Sequence, residues 1–186
     1  MSAAASARSF ATAAAAPATT TPPHPIPTGP WTLYFHESDD KSSGLESHKK
    51  IHVAGTWEGL GTLLRELGPP RLLGGIVKVM RGDTSPLWEN KANIRGGAYC
   101  LKIPRRSAIE VFTRYVAAAA ADCATTDAAT NPIVAVTISP KKHFVILKCW
   151  NQNARAHNNP ADIVLLHEEV RTEEILYRPH VEAPMK

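Results

Sequence analysis

The chain has 186 residues, 44% of them apolar, and a formal charge of +4. That allows one domain of ordinary size with a real core, and the mild positive balance suits one nucleotide or a short piece of RNA better than long duplex DNA. No run approaches the ~20 apolar residues of a membrane-spanning helix, and Cys100, Cys123 and Cys149, with no CxxC pair and no nearby His partner, exclude a zinc finger and a disulfide framework.

Free thiols of this kind fit a cytoplasmic protein, with room for a nuclear pool. No metal and no cofactor are expected. The first thirty residues hold ten Ala, six Pro and a single charged residue, Arg8. Such a composition offers little to bury, so residues 1–29 read as a disordered leader before a single domain spanning 30–186.

Within that domain, Trp31 to His36 is dense in strand formers and reads as a first strand. Glu37 to Ser47 is polar and contains Gly44, which predicts a loop; Lys49 to Val53 alternates back into a strand. Thr56 followed by Leu60, Leu63, Leu64 and Leu67 predicts an N-capped helix stopped by Gly68-Pro69-Pro70. Gly75 to Met80 is a strand, and so is Ala98 to Ile103. After Pro104, Ile109, Phe112, Tyr115 and Val116 recur at helical spacing into an alanine run. Ile133 to Ile138 and Phe144 to Cys149 form a hairpin across Ser139 to Lys142, and Ile163 to Leu166 is a last strand. Strands outnumber helices and the helices fall between them. The fold class is therefore α+β: an antiparallel sheet with helices on one face and the other face free for a ligand.

Between the third and fourth strands lies SPLWENKANIRGGAYC, residues 85–100. Pro86 keeps Trp88 out of a helix, and an exposed indole is a platform for a flat ring, best of all a cationic one. The neighbouring carboxylate of Glu89 can accept two parallel N–H donors as a charge-assisted fork. Among the common bases, guanine offers that fork through N1–H and its 2-amino group. Methylation at N7 makes the ring positive and strengthens both the stack and the hydrogen bonds. No acidic metal cluster, Gly-rich phosphate loop or nucleophile–base pair accompanies this feature, so the chain does not read as an enzyme.

PLWENKANIRGG resembles the signature of the cap-binding translation initiation factor 4E family. WTLYFH is similar to that family's Trp-rich first strand, and HPIPTGPW to its preceding segment. RRSAIEVF is similar to the start of its second helix, and Trp150 with Asn153-Ala154 to its Trp-x-x-Asn-Ala. The matches run in order over about His24 to Leu166. The resemblance implies a curved sheet backed by helices, with the 7-methylguanosine cap of mRNA on the concave face. By the same resemblance, Trp88 stacks on the base, Glu89 binds its edge and Trp150 lies by the N7-methyl group. Lys141, Lys142, Lys148 and Arg155 are the cations available for the phosphates, Lys148 favoured because it shares a strand face with Trp150. A protein-binding surface is implied around His24, Pro25, Trp57 and Arg114, for a 4G-type scaffold or a 4E-binding protein. A monomer is expected.

The chain departs from the family in one important place. The family sandwiches the base between two Trp residues, and the second falls here at Gly44, with no aromatic between Glu37 and Ser47. His36, Phe35 or His48 must close that side, or it stays open, which implies weaker cap binding than is usual in the family. Ala98 stands where the family often has Arg, and Gly61 where it presents a partner-facing Trp; Trp57, one turn earlier, either recreates that site or packs inward. NQNARAHNNPADIV is too short for the family's long third helix. Such divergence, with an Ala-rich leader, is similar to the multiple 4E homologues of kinetoplastid protists, whose caps carry further methylated nucleotides. Two readings remain: a cap-binding initiation factor, or a 4E-like protein-interaction regulator with weak or lost cap binding.

Overall fold

Period-two alternation of apolar and polar side chains builds the frame. In Trp31–Glu37 (β1), Trp31 and Leu33 are buried on one face while Thr32, Tyr34 and His36 take the other. The computed structural model describes residues 22–38, 40–42 and 44–181, so most of the Ala-rich leader lies outside the described residues. The remaining strands are Lys49–Ala54 (β2), Gly75–Arg81 (β3), Gly97–Pro104 (β4), Ala135–Pro140 (β5), Phe144–Asn151 (β6) and Leu176–Pro179 (β7). They form one seven-stranded sheet in the order β2-β1-β3-β5-β6-β4-β7, with every neighbouring pair antiparallel.

Two helices cover one face of the sheet. Trp57–Leu72 (α1) starts where Thr56 Oγ1 accepts from the Gly59 N–H (3.2 Å), the expected cap. Its Leu60, Leu63, Leu64 and Leu67 are buried at helical spacing. The expected stop at Gly68 is a break rather than an end. Gly68 takes φ 52°, ψ 168°, and a further turn carries Leu72 into the core. A glycine reaches that left-handed conformation at little cost, and prolines are tolerated in the first turn of a new helical segment. Ala108–Ala120 (α2) buries Val111, Phe112, Tyr115 and Val116 against the same face. No helix among the described residues is long and apolar enough to cross a membrane.

Three expectations need correction. Residues 22–29 belong to the folded unit. Ile26 is only 4% exposed, Pro25 bridges to Thr56, and Thr28 Oγ1 accepts from Trp31 Nε1 (2.9 Å) while donating to the Ala120 carbonyl (2.8 Å). Composition hid this because a single apolar side chain does the anchoring. The β5–β6 hairpin is tighter than expected: β5 continues through Pro140, and Lys141 N–H bonds to the Phe144 carbonyl at 2.8 Å. Lastly, Ile163 to Leu166 is no sheet strand. Val164 N–H bonds to the Ala124 carbonyl, Tyr115 and Arg114 donate to the carbonyls of Val164 and Leu166, and the segment straps α2 instead. The final strand is β7, from the acidic tail. Between β6 and β7 the described residues form only turns and two short 3-10 helices, Pro160–Asp162 and Thr172–Glu174, in line with the missing third helix.

Candidate functional site

The sheet face opposite the helices is organised in rows set by strand register. One row runs Thr32–Met80–Ala135–Trp150–Ala98–Arg178, and the next runs Tyr34–Lys78–Thr137–Lys148–Cys100–Leu176. Met80, Ala98, Val134, Ala135 and Trp150 form a small apolar cluster of their own on this side, flanked by Tyr34 and Cys100. The connection from β3 to β4, residues 82–96, must pass the start of β5 and the end of β6 to reach its next strand. That path carries Trp88 and Glu89 to the rim where Trp150 sits.

The loop is held from within. Asn93 is buried, and its Nδ2 donates to the carbonyls of Ser85 (2.9 Å) and Leu87 (2.8 Å), pinning the segment that leads into Trp88. Asn90 Oδ1 accepts from the Ala92 N–H (3.0 Å). The Gly96-Gly97 pair that follows allows close approach: a Cβ on Gly96 would meet the Asn151 carbonyl oxygen, and one on Gly97 the Tyr177 hydroxyl. Asn151 fixes the same junction, since its Oδ1 accepts from Gly97 N–H (3.2 Å) and Tyr177 Oη–H (2.8 Å) while its Nδ2 donates to Asn131 Oδ1 (2.9 Å). The loop is thus a rigid mount.

What it mounts is left unused by the fold. Trp88 is 43% exposed, and Glu89 is exposed with no hydrogen-bond or ion-pair partner among the described residues. Trp150 is only 5% exposed, yet its buried Nε1–H has no acceptor.

The ring that faces this group comes from the chain's far end. His180, just past β7, lies 4.8 Å from Trp150 edge-on and 6.5 Å from Trp88 at a 49° tilt. Its Nδ1–H donates to the Asn93 carbonyl (2.8 Å), which leaves Nε2 as a bare, buried acceptor. Burial lowers its pKa, so the ring is neutral and that lone pair is available. At that separation and tilt the Trp88 and His180 rings are not stacked on one another. Sequence reasoning passed over His180 because it follows a short, Pro-ended strand inside a segment that reads as tail.

The residues expected to oppose Trp88 divide. Phe35 is a correction: it alternates onto the helix-covered face and packs against the main core, so it cannot reach the site. His36 and His48 are on the site's side, buried, with ring centroids 4.8 Å apart. His36 Nε2 bonds to the Ser42 carbonyl (3.0 Å), and His48 Nδ1 to the Gly44 carbonyl (3.1 Å). The ring contact of Trp88 is with His180 rather than with either. Below them Lys78, a strand residue to which the sequence reading gave no role, donates from Nζ to His48 Nε2 (2.7 Å) and to the Pro86 carbonyl (2.6 Å).

The expected phosphate cations also separate. Lys148 lies two residues from Trp150 on the same face. Arg155 is exposed in the turn after β6, where Ala154 N–H bonds to the Arg95 carbonyl (2.9 Å). Lys141 and Lys142 sit at the hairpin tip, at the opposite end of β6 from Trp150, a run of six residues or about 20 Å. Arg178 lies in the same row as Trp150, with Ala98 between them. On the helix side, His24 pairs with Glu58 (2.7 Å) and its carbonyl accepts from Trp57 N–H (2.9 Å). Pro25 is exposed beside it, and Trp57 is half-buried against the core, the inward of its two expected positions. Arg114 is engaged with Glu110 (2.6 Å) and the Leu166 carbonyl. None of the four lines the open, mostly apolar cavity of about 510 Å³ between α1 and α2, which is formed by Gly61, Leu64, Arg65, Gly68, Ile109 and Thr113. No cluster of three or more His, Cys, Asp or Glu able to hold a metal occurs among the described residues.

Residues 28–183 match the family model for eukaryotic initiation factor 4E. The chain is 28% identical over 79 residues to eukaryotic translation initiation factor 4E1 of Drosophila melanogaster, a match covering 41% of this chain and about 30% of that relative's length. Its fold is similar to that of Ascaris suum eIF4E-3, solved with an m7G cap: TM-score 0.66, 15% identity, covering 88% of this chain and 95% of that one. It is also similar to a schistosome eIF4E solved with m7GpppA and 4E-BP, with TM-score 0.62 and 20% identity over 72% of this chain and 74% of the other.

Proposed function

Since the chain belongs to the eukaryotic initiation factor 4E family, we propose that the pocket framed by Trp88, Glu89, Trp150 and His180 binds the 7-methylguanosine cap of mRNA in translation initiation. The carrying observation is that an exposed Trp88 and a buried Trp150 both lie against the His180 ring, with the exposed Glu89 carboxylate next in chain to Trp88. Trp88 is the stacking platform and Glu89 accepts from N1–H and the 2-amino group. Trp150 closes the N7 side. His180 takes the place of the absent second Trp, its tilt closing as the base enters. Lys148, Arg178 and Arg155 face the phosphates. The protein acts by binding, not by catalysis, in the cytoplasm.

The helix-side cavity is assigned to a helical segment of a scaffold or 4E-binding protein, in keeping with relatives solved with 4E-BP and with Mextli. The second reading, a protein-interaction regulator with little cap affinity, is favoured by the stretch from Glu37 to Ser47, which contains no aromatic residue. Retention on immobilised 7-methyl-GTP, with elution by the cap analogue and not by GTP, separates the two.

Trp fluorescence quenching by 7-methyl-GTP tests the stack. Trp88→Ala is expected to weaken binding about tenfold or more, the loss of one aromatic–base stack. An unchanged dissociation constant in the mutant would remove Trp88 from the site.

A further inference from the structure

The floor of this pocket already holds a cation. Lys78 sits in the row beside Trp150, and its Nζ lies 5.7 Å from the centroid of the Trp150 ring. Two of its three N–H donors are used: one ties it to His48 Nε2, behind the loop that lacks the aromatic, and one to the Pro86 carbonyl, at the root of the Trp88 loop. Glu89 is the carboxylate whose field it feels, and Lys148 is the neighbouring like charge. His48, its other neighbour, is kept neutral by burial and by Lys78 itself. Burial and Lys148 hold the Lys78 pKa down at about 8, so the side chain is still mostly protonated at neutral pH.

A protonated lysine beside Trp150 and within the field of Glu89 puts a like charge next to the N7 side of a base bound as proposed. An indole face attracts one cation, and a second brought close is repelled by the first. Methylation of guanine at N7 adds a methyl group and one positive charge to the ring, and the benefit of the charge depends on what charge the pocket already contains.

We propose that Lys78 is the specificity-determining residue of the pocket: its ammonium group stands in for the charge of the N7-methylated base, so this site prefers 7-methylguanine over guanine less strongly than it would with a neutral floor. The proposal rests on the assignment of Trp88, Glu89 and Trp150 to the base. Lys78 also joins the two loops on either side of the slot, and it attracts phosphate. Both of those effects act equally on GTP and on 7-methyl-GTP. The ratio of the two dissociation constants therefore isolates the charge on the base.

The test measures both ligands by Trp fluorescence titration at pH 7 in wild type, Lys78→Met, Lys78→Gln and Lys78→Arg, alongside Glu89→Gln. Lys78→Gln keeps a donor for the Pro86 carbonyl and serves where the Met variant fails to fold. The preference for 7-methyl-GTP over GTP is expected to rise about tenfold in the Met and Gln variants, as removal of one nearby like charge implies, and to stay within about threefold of wild type in Lys78→Arg, which keeps the charge. A folded Lys78→Gln protein whose preference is unchanged or lower overturns the proposal, provided that Glu89→Gln still weakens binding. If Glu89→Gln has no effect on either ligand, the base-site assignment fails, and with it the proposal.

Discussion

Glu89→Gln is expected to weaken 7-methyl-GTP binding about 100-fold while leaving the fold untouched. The carboxylate offers two acceptor oxygens to two parallel donors on the guanine edge, each a charge-assisted hydrogen bond. Glutamine keeps the shape and one acceptor, but turns an amino group toward a donor. One such bond is lost and a buried clash of donors is created, together about 3 kcal/mol or 100-fold in affinity. Stability is expected to change by less than about 0.5 kcal/mol, because Glu89 is exposed and has no hydrogen-bonded partner in the fold. Titration and thermal melting of the same preparation check both halves. A loss smaller than threefold would take Glu89 out of base recognition.

The second large effect is on stability. Gly96→Ala places a methyl group against the backbone of β6: the Asn151 carbonyl oxygen, Gln152 Cα at 2.8 Å and the Asn151 carbonyl carbon at 2.9 Å. Backbone cannot rotate aside as a side chain can, so β4 and β6 must separate where Asn151 joins Gly97, Tyr177 and Asn131. A cost of about 3 kcal/mol is expected, or roughly 6–12 °C in Tm. His180 N–H also bonds to the Gly96 carbonyl (3.0 Å), so the mutant should bind 7-methyl-GTP less well even at temperatures where it is folded. Gly61→Ala is the control. Nothing lies within 4 Å of a Cβ there, and Gly61 is inside α1, so alanine should be neutral or stabilising by up to about 1 kcal/mol. Equal melting temperatures for Gly96→Ala and wild type would show that the glycine is not needed for close approach.

The contrast between those two glycines shows what a sequence can carry. The strands were legible because their alternation is strong, and the α1 cap because Thr56 precedes a regular leucine spacing. The candidate site is legible where chemistry is local: Trp88 and Glu89 are adjacent, and their loop is bounded by Pro86 and Gly96-Gly97. It is not legible where the partner arrives from far along the chain. Alternation separates Phe35 from His36 but does not say which face the helices cover, and so the sequence leaves both among the candidates to oppose Trp88. His180 reaches the pocket only because β7 pairs with β4, and the sequence LYRP gives a weak strand signal. Lys78 reads in GIVKVM as an ordinary solvent-facing strand position. Its role comes from two loops folding over it, which no periodicity encodes.

The wall bearing His180 hangs from a strand of four residues whose outer edge pairs with nothing among the described strands. Short edge strands open at low free-energy cost, well before the sheet as a whole. The floor of the pocket, by contrast, belongs to the central strands β3, β5 and β6, which open only with global unfolding. The two sides of the slot therefore keep different time. For a base bound as proposed, opening of β7 removes the His180 wall while the Trp88 mount and the floor stay in place, so release is expected to track the stability of the shortest strand.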